Sequence, residues 1–351
     1  MRKTTFVRTL CCGVKLFCVA AIGWVCLLAF AQDAAALPSD PKELMLLAAK
    51  TNGLTGPDVQ PWHLKATYKV LDETGKITDR GTYEEFWASP AKYRRTFTGT
   101  TFTQTEYGTG SGILHAGERL SLPYLVADLH REFVNPFSNQ FMLVLRMGFL
   151  AFDSEKREID GEKATCLSSA DLPDPALSYC FSLDKPVIAA TISKAESLQV
   201  LHRHPIVIQN RFVPGDLQII REGKTILSAH IESLEMLGTI NEIDFAPTAD
   251  AVELPRRISI SPGVAGAMIQ SSSPPIYPPE AKAAGITGTV VLQAVIGVKG
   301  LVTELQVVSG PAALQQAAMD AVRNWQYRPY LLNGEPVEVS TRINVVFTLS
   351  R

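Results

Sequence analysis

Three groups of residues have the types and spacing that could do chemistry. His202-Arg203-His204 places two imidazoles on one face of an expected strand, as a metal site would need. No third ligand is identifiable and Pro205 follows at once, so solvated or hydrogen-bonded histidines are the plainer reading. Gly108-Thr109-Gly110-Ser111-Gly112 is rich in glycine, yet it misses by register both the dinucleotide fingerprint and the Gly-x-Ser-x-Gly elbow, which leaves a hairpin loop. Carboxylates cluster at Glu84-Glu85, Asp153 to Glu162 and Glu242 to Asp244. Each lies in a charged run that reads as a solvated face, and spacing alone defines no acid/base pair. Lys92, Arg94 and Arg95 read as an ordinary polar strand face that could also meet headgroups or an acidic surface. With no constellation assembled, no enzyme, no cofactor and no metal are expected.

The remaining reactive pair is Cys166 and Cys180. Four of the six cysteines, Cys11, Cys12, Cys18 and Cys26, fall in the N-terminal segment. There Arg2, Lys3, Arg8 and Lys15 precede an apolar run from Leu16 to Ala31, and Ala29-Phe30-Ala31 has the small-x-small form of a signal-peptidase site before Gln32. A signal peptide over 1–31 is expected, with a retained membrane anchor as the competing reading. Export supplies an oxidising compartment, so Cys166 and Cys180 are expected to close a hairpin around Pro173-Asp174-Pro175. Two unpaired core cysteines are the alternative.

The 351 residues exceed the usual single-domain size. With 33 basic against 35 acidic residues, net charge gives no reason to expect nucleic acid as a partner. After a helix from Pro41 to Gly53, alternating stretches follow in series: His63 to Leu71, Lys76 to Trp87, Lys92 to Phe97, Thr101 to Tyr107 and Ile113 to Leu120. Leu122 to Leu150 interrupts them with one or two helices broken near Asn135-Pro136. Strands resume at Glu162 to Leu167, Leu177 to Leu183, Val187 to Lys194, Leu198 to His202, Ile206 to Phe212, Leu217 to Arg221 and Thr225 to Leu237, and Phe245 to Pro255 closes the unit. Many consecutive strands with helices inserted midway predict an α+β fold dominated by one large, curved antiparallel sheet over residues 40–256. Residues 257–276, rich in Ser, Pro and Gly, read as an extended linker.

Residues 277–351 predict a small ββαβ unit. Leu292, Ala294 and Ile296 alternate with Val291, Gln293 and Val295, and Leu305 and Val307 with Glu304, Gln306 and Val308; Leu314, Ala317, Ala318, Ala321, Val322 and Trp325 fall at helical spacing; Asn333-Gly334 supplies a turn before the last strand. The stretch resembles the C-terminal domain of TonB-family energy transducers. Tyr277-Pro278, Gly285-Ile286 with Gly288 and Val290, Gly300, Val307 to Ser309, Ala317-Ala318 with Ala321, Trp325 with Tyr327 and Pro329, and Asn333-Gly334 with Pro336-Val337 follow that pattern in order. The middle region resembles, more loosely, the half-barrel fold of LolA/LolB-type lipoprotein carriers, through its opening helix, Gly81-Thr82-Tyr83 with Trp87, and Ser89-Pro90 before Lys92-Tyr93-Arg94.

The TonB resemblance implies a periplasmic or envelope location and strand pairing with an outer-membrane transporter or other envelope protein. Its partner-facing residues are then Tyr277 and Pro278 in the lead and Val337, Val339, Thr341, Ile343, Val345 and Phe347 along the final strand. The carrier resemblance implies a lipid or lipoprotein acyl chain on an apolar concave face, with the C-terminal unit as a docking adaptor.

Overall fold

The computed structural model describes residues 37–349 except 73, 118–121, 138, 149, 171–176, 194–196 and 254–256. The expected signal segment, its cleavage site before Gln32 and the turn at Pro173 to Pro175 lie outside the described residues. Among those described, no helix is long and apolar enough to cross a membrane.

The chain opens with helix α1 (Pro41–Thr51), started by Asp40, whose carboxylate accepts the Glu43 N–H at 2.8 Å, with Pro41 in the first turn. Asn52 ends it and ties it down: its side-chain amide donates to the Pro186 carbonyl (2.6 Å) and accepts from the Ile188 N–H (3.1 Å). Strands β1 (Trp62–Leu71), β2 (Ile77–Ser89), β3 (Lys92–Thr98), β4 (Thr103–Gly108) and β5 (Ile113–Gly117) follow as hairpins. Helices α2 (Tyr124–Phe133) and α3 (Asn139–Met147) come next, then β6 (Asp153–Ile159), β7 (Glu162–Ser168), β8 (Leu177–Ser182), β9 (Ile188–Ser193) and β10 (Leu198–Arg203). The series continues with β11 (Ile206–Ile208), β12 (Arg211–Val213), β13 (Asp216–Arg221), β14 (Lys224–Met236), a 3-10 turn (Glu242–Phe245) and β15 (Val252–Glu253).

Thirteen of these strands form one antiparallel sheet in the order β15-β5-β4-β3-β2-β1-β14-β13-β10-β9-β8-β7-β6. Its main core packs Leu125, Val126, Leu129 and Phe133 of α2 against Tyr83, Phe97, Val200, Leu217, Leu227 and other buried residues from six neighbouring strands. Six strands at ~4.8 Å spacing are far wider than one helix of ~10 Å, so the sheet must curve to bring all of them onto α2. A second core sets α1 and α3 on Leu167, Tyr179, Phe181 and Ile188 of the other half. Cys166 and Cys180 are paired across β7 and β8 and joined as a disulfide.

Two departures from expectation have local causes. Ile206 to Phe212, expected as one strand, is the hairpin β11–β12, turning through Gln209 and Asn210, both at positive φ (52° and 58°). The carboxylate run at Asp153, read as a solvated face, is solvated, and it lies on β6, the terminal strand of the sheet, a strand the sequence pattern did not show. Its exposed charges suit an edge that should not pair further.

The segment expected as a linker is structured instead. β16 (Arg257–Ser259) lies parallel to the final strand, α4 (Pro262–Ala267) is capped by Ser261, and β17 (Ile269–Ser271) pairs with β20 (Gln326–Tyr327). Ile258, Ile260, Met268 and Ile269 pack on the C-terminal core, and this apolar burial outweighs the flexibility that the Ser/Gly/Pro composition suggested. Beyond it come α5 (Pro279–Ala283), β18 (Gly288–Ile296), β19 (Val302–Ser309), α6 (Ala312–Arg323), β21 (Tyr330–Leu332) and β22 (Glu335–Phe347). The small sheet runs β16-β22-β18-β19, with β21 also on β22, and α6 covers one face through Leu314, Ala318 and Val322. Gly300, at φ 76°, lets the β18–β19 turn approach the Tyr327 carbonyl, where a Cβ would sit 1.9 Å from the oxygen.

Candidate functional site: a sheet edge and a charged interior

The odd-numbered residues of β22 meet the core. Val337, Val339, Thr341, Ile343, Val345 and Phe347 are all buried, because a strand alternates faces and α6 covers theirs. Their side chains are not offered to a partner, which corrects the sequence assignment residue by residue. Tyr277 is likewise engaged inside the unit: its ring stands edge-on to Phe347 at 5.4 Å between centroids, and its hydroxyl donates to the Ile286 carbonyl (2.5 Å). Pro278 caps α5.

What β22 offers is backbone. Its antiparallel partner β18 takes one edge, from Val339 to Phe347. On the other edge the Ile260 N–H donates to the Ser340 carbonyl at 3.1 Å. Ser340 therefore points its backbone polar groups away from β18, and by the strand's period of two so do Arg342, Asn344 and Val346. Beyond Ser340 no strand among the described residues pairs with this outer edge. Asn344 and Val346 are exposed, Val346 at 62%. This signal was legible only in part: alternation shows which side chains are buried, but which N–H groups face outward depends on which neighbour lies where.

The opposite face of the small sheet is not bare. Gln306 accepts the Tyr124 N–H (2.9 Å) and donates to the Leu122 carbonyl (2.7 Å), and Tyr124 is itself held by Arg221. The start of α2 thus rests on the C-terminal sheet.

That same helix shares the charges of the interior with the strands beneath it. Glu85, fully buried, takes a two-pronged ion pair from Arg95 (3.0 and 3.1 Å), hydrogen bonds from the Tyr83 hydroxyl, and Nδ1 of His130 at 3.0 Å. Arg95 also donates to Nε2 of His130 (3.1 Å) and to Glu106 (3.0 Å), so the neutral ring carries its proton on Nδ1 and donates it to Glu85. Burial pushes the Glu85 carboxyl up, but Arg95 and His130 hold it far below the usual range. Burial, with Arg95 nearby, lowers the His130 pKa. On the next turn Glu132 pairs with Arg131 (2.7 Å) and with His202 (2.9 Å); burial opposes its charge, yet these partners bring its pKa down to about 2. Asp128, beside Arg131, is raised by burial. All of these groups are satisfied by fixed partners, an arrangement that orders a core.

His202 and His204 part company: His202 is buried against Glu132, while His204, past the strand end at positive φ, pairs with Asp216 at 2.6 Å. No group of three metal-ligating side chains forms among the described residues. Gly108 to Gly112 is the β4–β5 turn, closed by Thr109 and Gly112. Glu85 and Arg95, read from sequence as exposed charges, were missed. The signal was present, since Glu85 sits between Tyr83 and Trp87 on one strand face and Arg95 between Tyr93 and Phe97. Lys92 pairs with Glu242 (2.6 Å) and Arg94 lies over the Phe86 ring.

The concave face is filled by α2. An open cleft of about 730 Å³ lies elsewhere, floored by Leu46, Ala49, Phe137 and Met142 and rimmed by Lys50 and Arg146.

Residues 273–349 match the family model described as the Gram-negative bacterial TonB protein C-terminal. TonB of Vibrio cholerae is 33% identical over 85 residues, 24% of this chain and 35% of that protein. TonB of Xanthomonas campestris pv. campestris is 37% identical over 91 residues, 24% of this chain and 41% of that protein. A LolA superfamily protein from Nitrosomonas europaea aligns with 60% of this chain and 99% of its own, at 9% identity and a TM-score of 0.37. The chain spans about two-fifths or less of the curated TonB proteins it matches, and within that span residues 273–349 carry the pattern of the TonB C-terminal domain.

Proposed function

We propose that this is an exported cell-envelope protein of the TonB type, without catalytic activity, whose C-terminal domain pairs with an extended segment of an outer-membrane protein during transport across the envelope. The division proposed is a sheet domain over 40–256 and a TonB-like domain over 277–351, with 257–276 joining them and 1–31 directing export. The observation that carries the reading is the outer edge of β22 beyond Ser340, where Asn344 and Val346 are exposed and no described strand pairs. Main-chain hydrogen bonds along such an edge give affinity, and the alternate exposed side chains give selectivity. Tyr277 and Pro278 support the edge rather than touch the partner, by bracing Phe347 and starting α5.

A photo-reactive residue placed at Asn344 in the native envelope tests this. The expected product is a cross-link to an integral outer-membrane protein, with none from Gln316, which lies on the exposed side of α6. Equal labelling from both positions, or labelling of lipid alone, would remove the reading.

A second reading, lipid or acyl-chain carriage, is favoured by the cleft between α1 and α3, whose apolar lining and basic Lys50 and Arg146, with Arg211 paired to Asp58, suit an anionic amphiphile. It moves the ligand off the concave face, which α2 occupies.

A further inference from the structure

The lane along the outer edge of β22 is already part-filled by the chain itself. β16 runs parallel to β22, with Arg257, Ile258 and Ser259 opposite Glu338, Val339 and Ser340, in a sheet whose other pairings are antiparallel. Beside its short ladder on β22 it holds on by the Ile260 N–H to the Ser340 carbonyl (3.1 Å), by the Thr341 hydroxyl to the Ile260 carbonyl (3.1 Å), by Ile258 and Ile260 on the edge of the core, and by one ion-paired side chain. That side chain is Arg257, whose guanidinium donates to Glu338 (2.9 Å) and reaches Glu304 on β19 (2.7 Å), clasping the sheet from its outermost strand to its far one. The strand is three residues long, and Arg257 and Ser259 are exposed. Above it, Pro336 has no N–H to offer; below it, Arg342, Asn344 and Val346 continue the same edge.

We infer that Arg257 to Ile260 is an internal occupant of the partner-binding edge, a pseudo-ligand that must leave before an extended segment can pair along the full length of β22. The inference rests on the pairing function proposed above and adds its regulation. The physical case is one of competition. A tethered segment meets its edge at an effective concentration in the millimolar range, so even a weak three-residue strand displaces a free peptide of similar affinity. The same shortness keeps the occupant removable: three paired residues, the first and third exposed, leave at the cost of a short ladder, the contact of Ile258 and Ile260 with the core edge and the charge-assisted Arg257 clasp. An apparent affinity is reduced in proportion to the fraction of molecules with the lane vacant. A partner that carries its own acidic groups to Arg257, or cations to Glu304 and Glu338, would open the lane as it docks.

The test uses the full mature chain and a capped fluorescent peptide repeating Arg257 to Ser261, followed by anisotropy, with thermal melts alongside. Arg257→Ala is the releasing variant: the peptide keeps its own arginine, so only the tethered strand loses the clasp, and this variant is expected to bind the peptide about tenfold more tightly than the parent chain while remaining folded. Glu304→Gln, which takes the clasp from tethered strand and peptide alike, is expected to leave the apparent affinity near the parent's. Adding Ile260→Pro to Arg257→Ala, which deletes the one N–H given to Ser340, is expected to raise binding further. Tight and equal binding by the parent and all variants would overturn the internal occupant while leaving edge pairing intact. Absence of binding by every folded variant would overturn edge pairing itself, and the occupant with it.

Discussion

The two sheets of this molecule handle charge in opposite ways. The large sheet curls round α2 and buries Glu85, Arg95, His130, Glu132 and His202 with fixed partners. The small sheet keeps an apolar core of Val290, Leu292, Leu314 and Val345 and puts its charges near an edge, where Glu338 is buried but its partner Arg257 is partly exposed and shared with Glu304. Ion pairs buried on both sides are poor places for a moving part, because breaking one strands a charge, whereas Arg257 can turn to water and leave only Glu338 to be re-paired by an incoming cation. An edge with backbone groups facing outward can change partner at modest cost. The contrast assigns ordering to the first region and exchange to the second.

The largest expected effect comes from breaking the ordered side. Glu85→Ala leaves Arg95 buried without its carboxylate and should cost about 3–5 kcal/mol, read by urea denaturation. A loss under about 1 kcal/mol would mean that the interior charges are not the organising feature claimed here.

Acid should act on the same region. His130 has a lowered folded pKa, so the unfolded chain binds more protons as pH falls through its ordinary value near 6.5 and stability begins to drop there. Glu132, at about 2 against a usual 4.5, contributes ~3 kcal/mol above that usual value, lost as pH falls from about 4.5 toward 2. Glu85 shifts the same way, whereas Asp128, raised by burial, partly offsets them. Melting temperature is therefore expected to fall in two stages below about pH 6.5 and pH 4.5. A flat profile from pH 7 to 3 would contradict the arrangement.

In the small unit, Trp325 is only partly buried and donates its indole N–H to the Ser273 carbonyl (3.0 Å). Trp325→Ala should cost ~2 kcal/mol, below the range for a fully buried aromatic, and loosen the segment around Ser273, visible as faster proteolysis there. Neighbouring prolines in β22 then give the smallest stability effect and the sharpest comparison. Val345→Pro removes a donor to β18 and a core side chain, so the unit should lose ~3 kcal/mol or more. Val346→Pro removes only an outward N–H and should change stability by under about 1 kcal/mol while weakening partner pairing. Equal destabilisation by the two would mean that the outward edge has been misplaced by one residue.

Much of this arrangement was legible in the residues and some was not. Alternation located nearly every long strand, and the break at Asn135-Pro136 separated α2 from α3 because local pattern and tertiary packing agree there. Gln209-Asn210 hid a turn, since neither residue is glycine and their positive φ angles are set by the pairing of β11 with β12. Glu85 and Arg95 looked solvated because their charge hides that they share a stripe with Tyr83, Trp87, Tyr93 and Phe97; only the register opposing them shows mutual neutralisation. Arg257 to Ile260 looked like linker for a related reason: three residues carry no periodicity, and the strand exists only because β22 lends it an edge.

Amide hydrogen exchange along β22 tests the central claim most directly, with the segment identified by the Asn344 cross-link supplied as a synthetic peptide to the full chain. Pairing on the outer edge predicts at least tenfold slower exchange at Asn344 and Val346 on adding the peptide, with Ile343 and Val345, already bonded to β18, unchanged. Unchanged exchange at both outward amides with the peptide bound would contradict it.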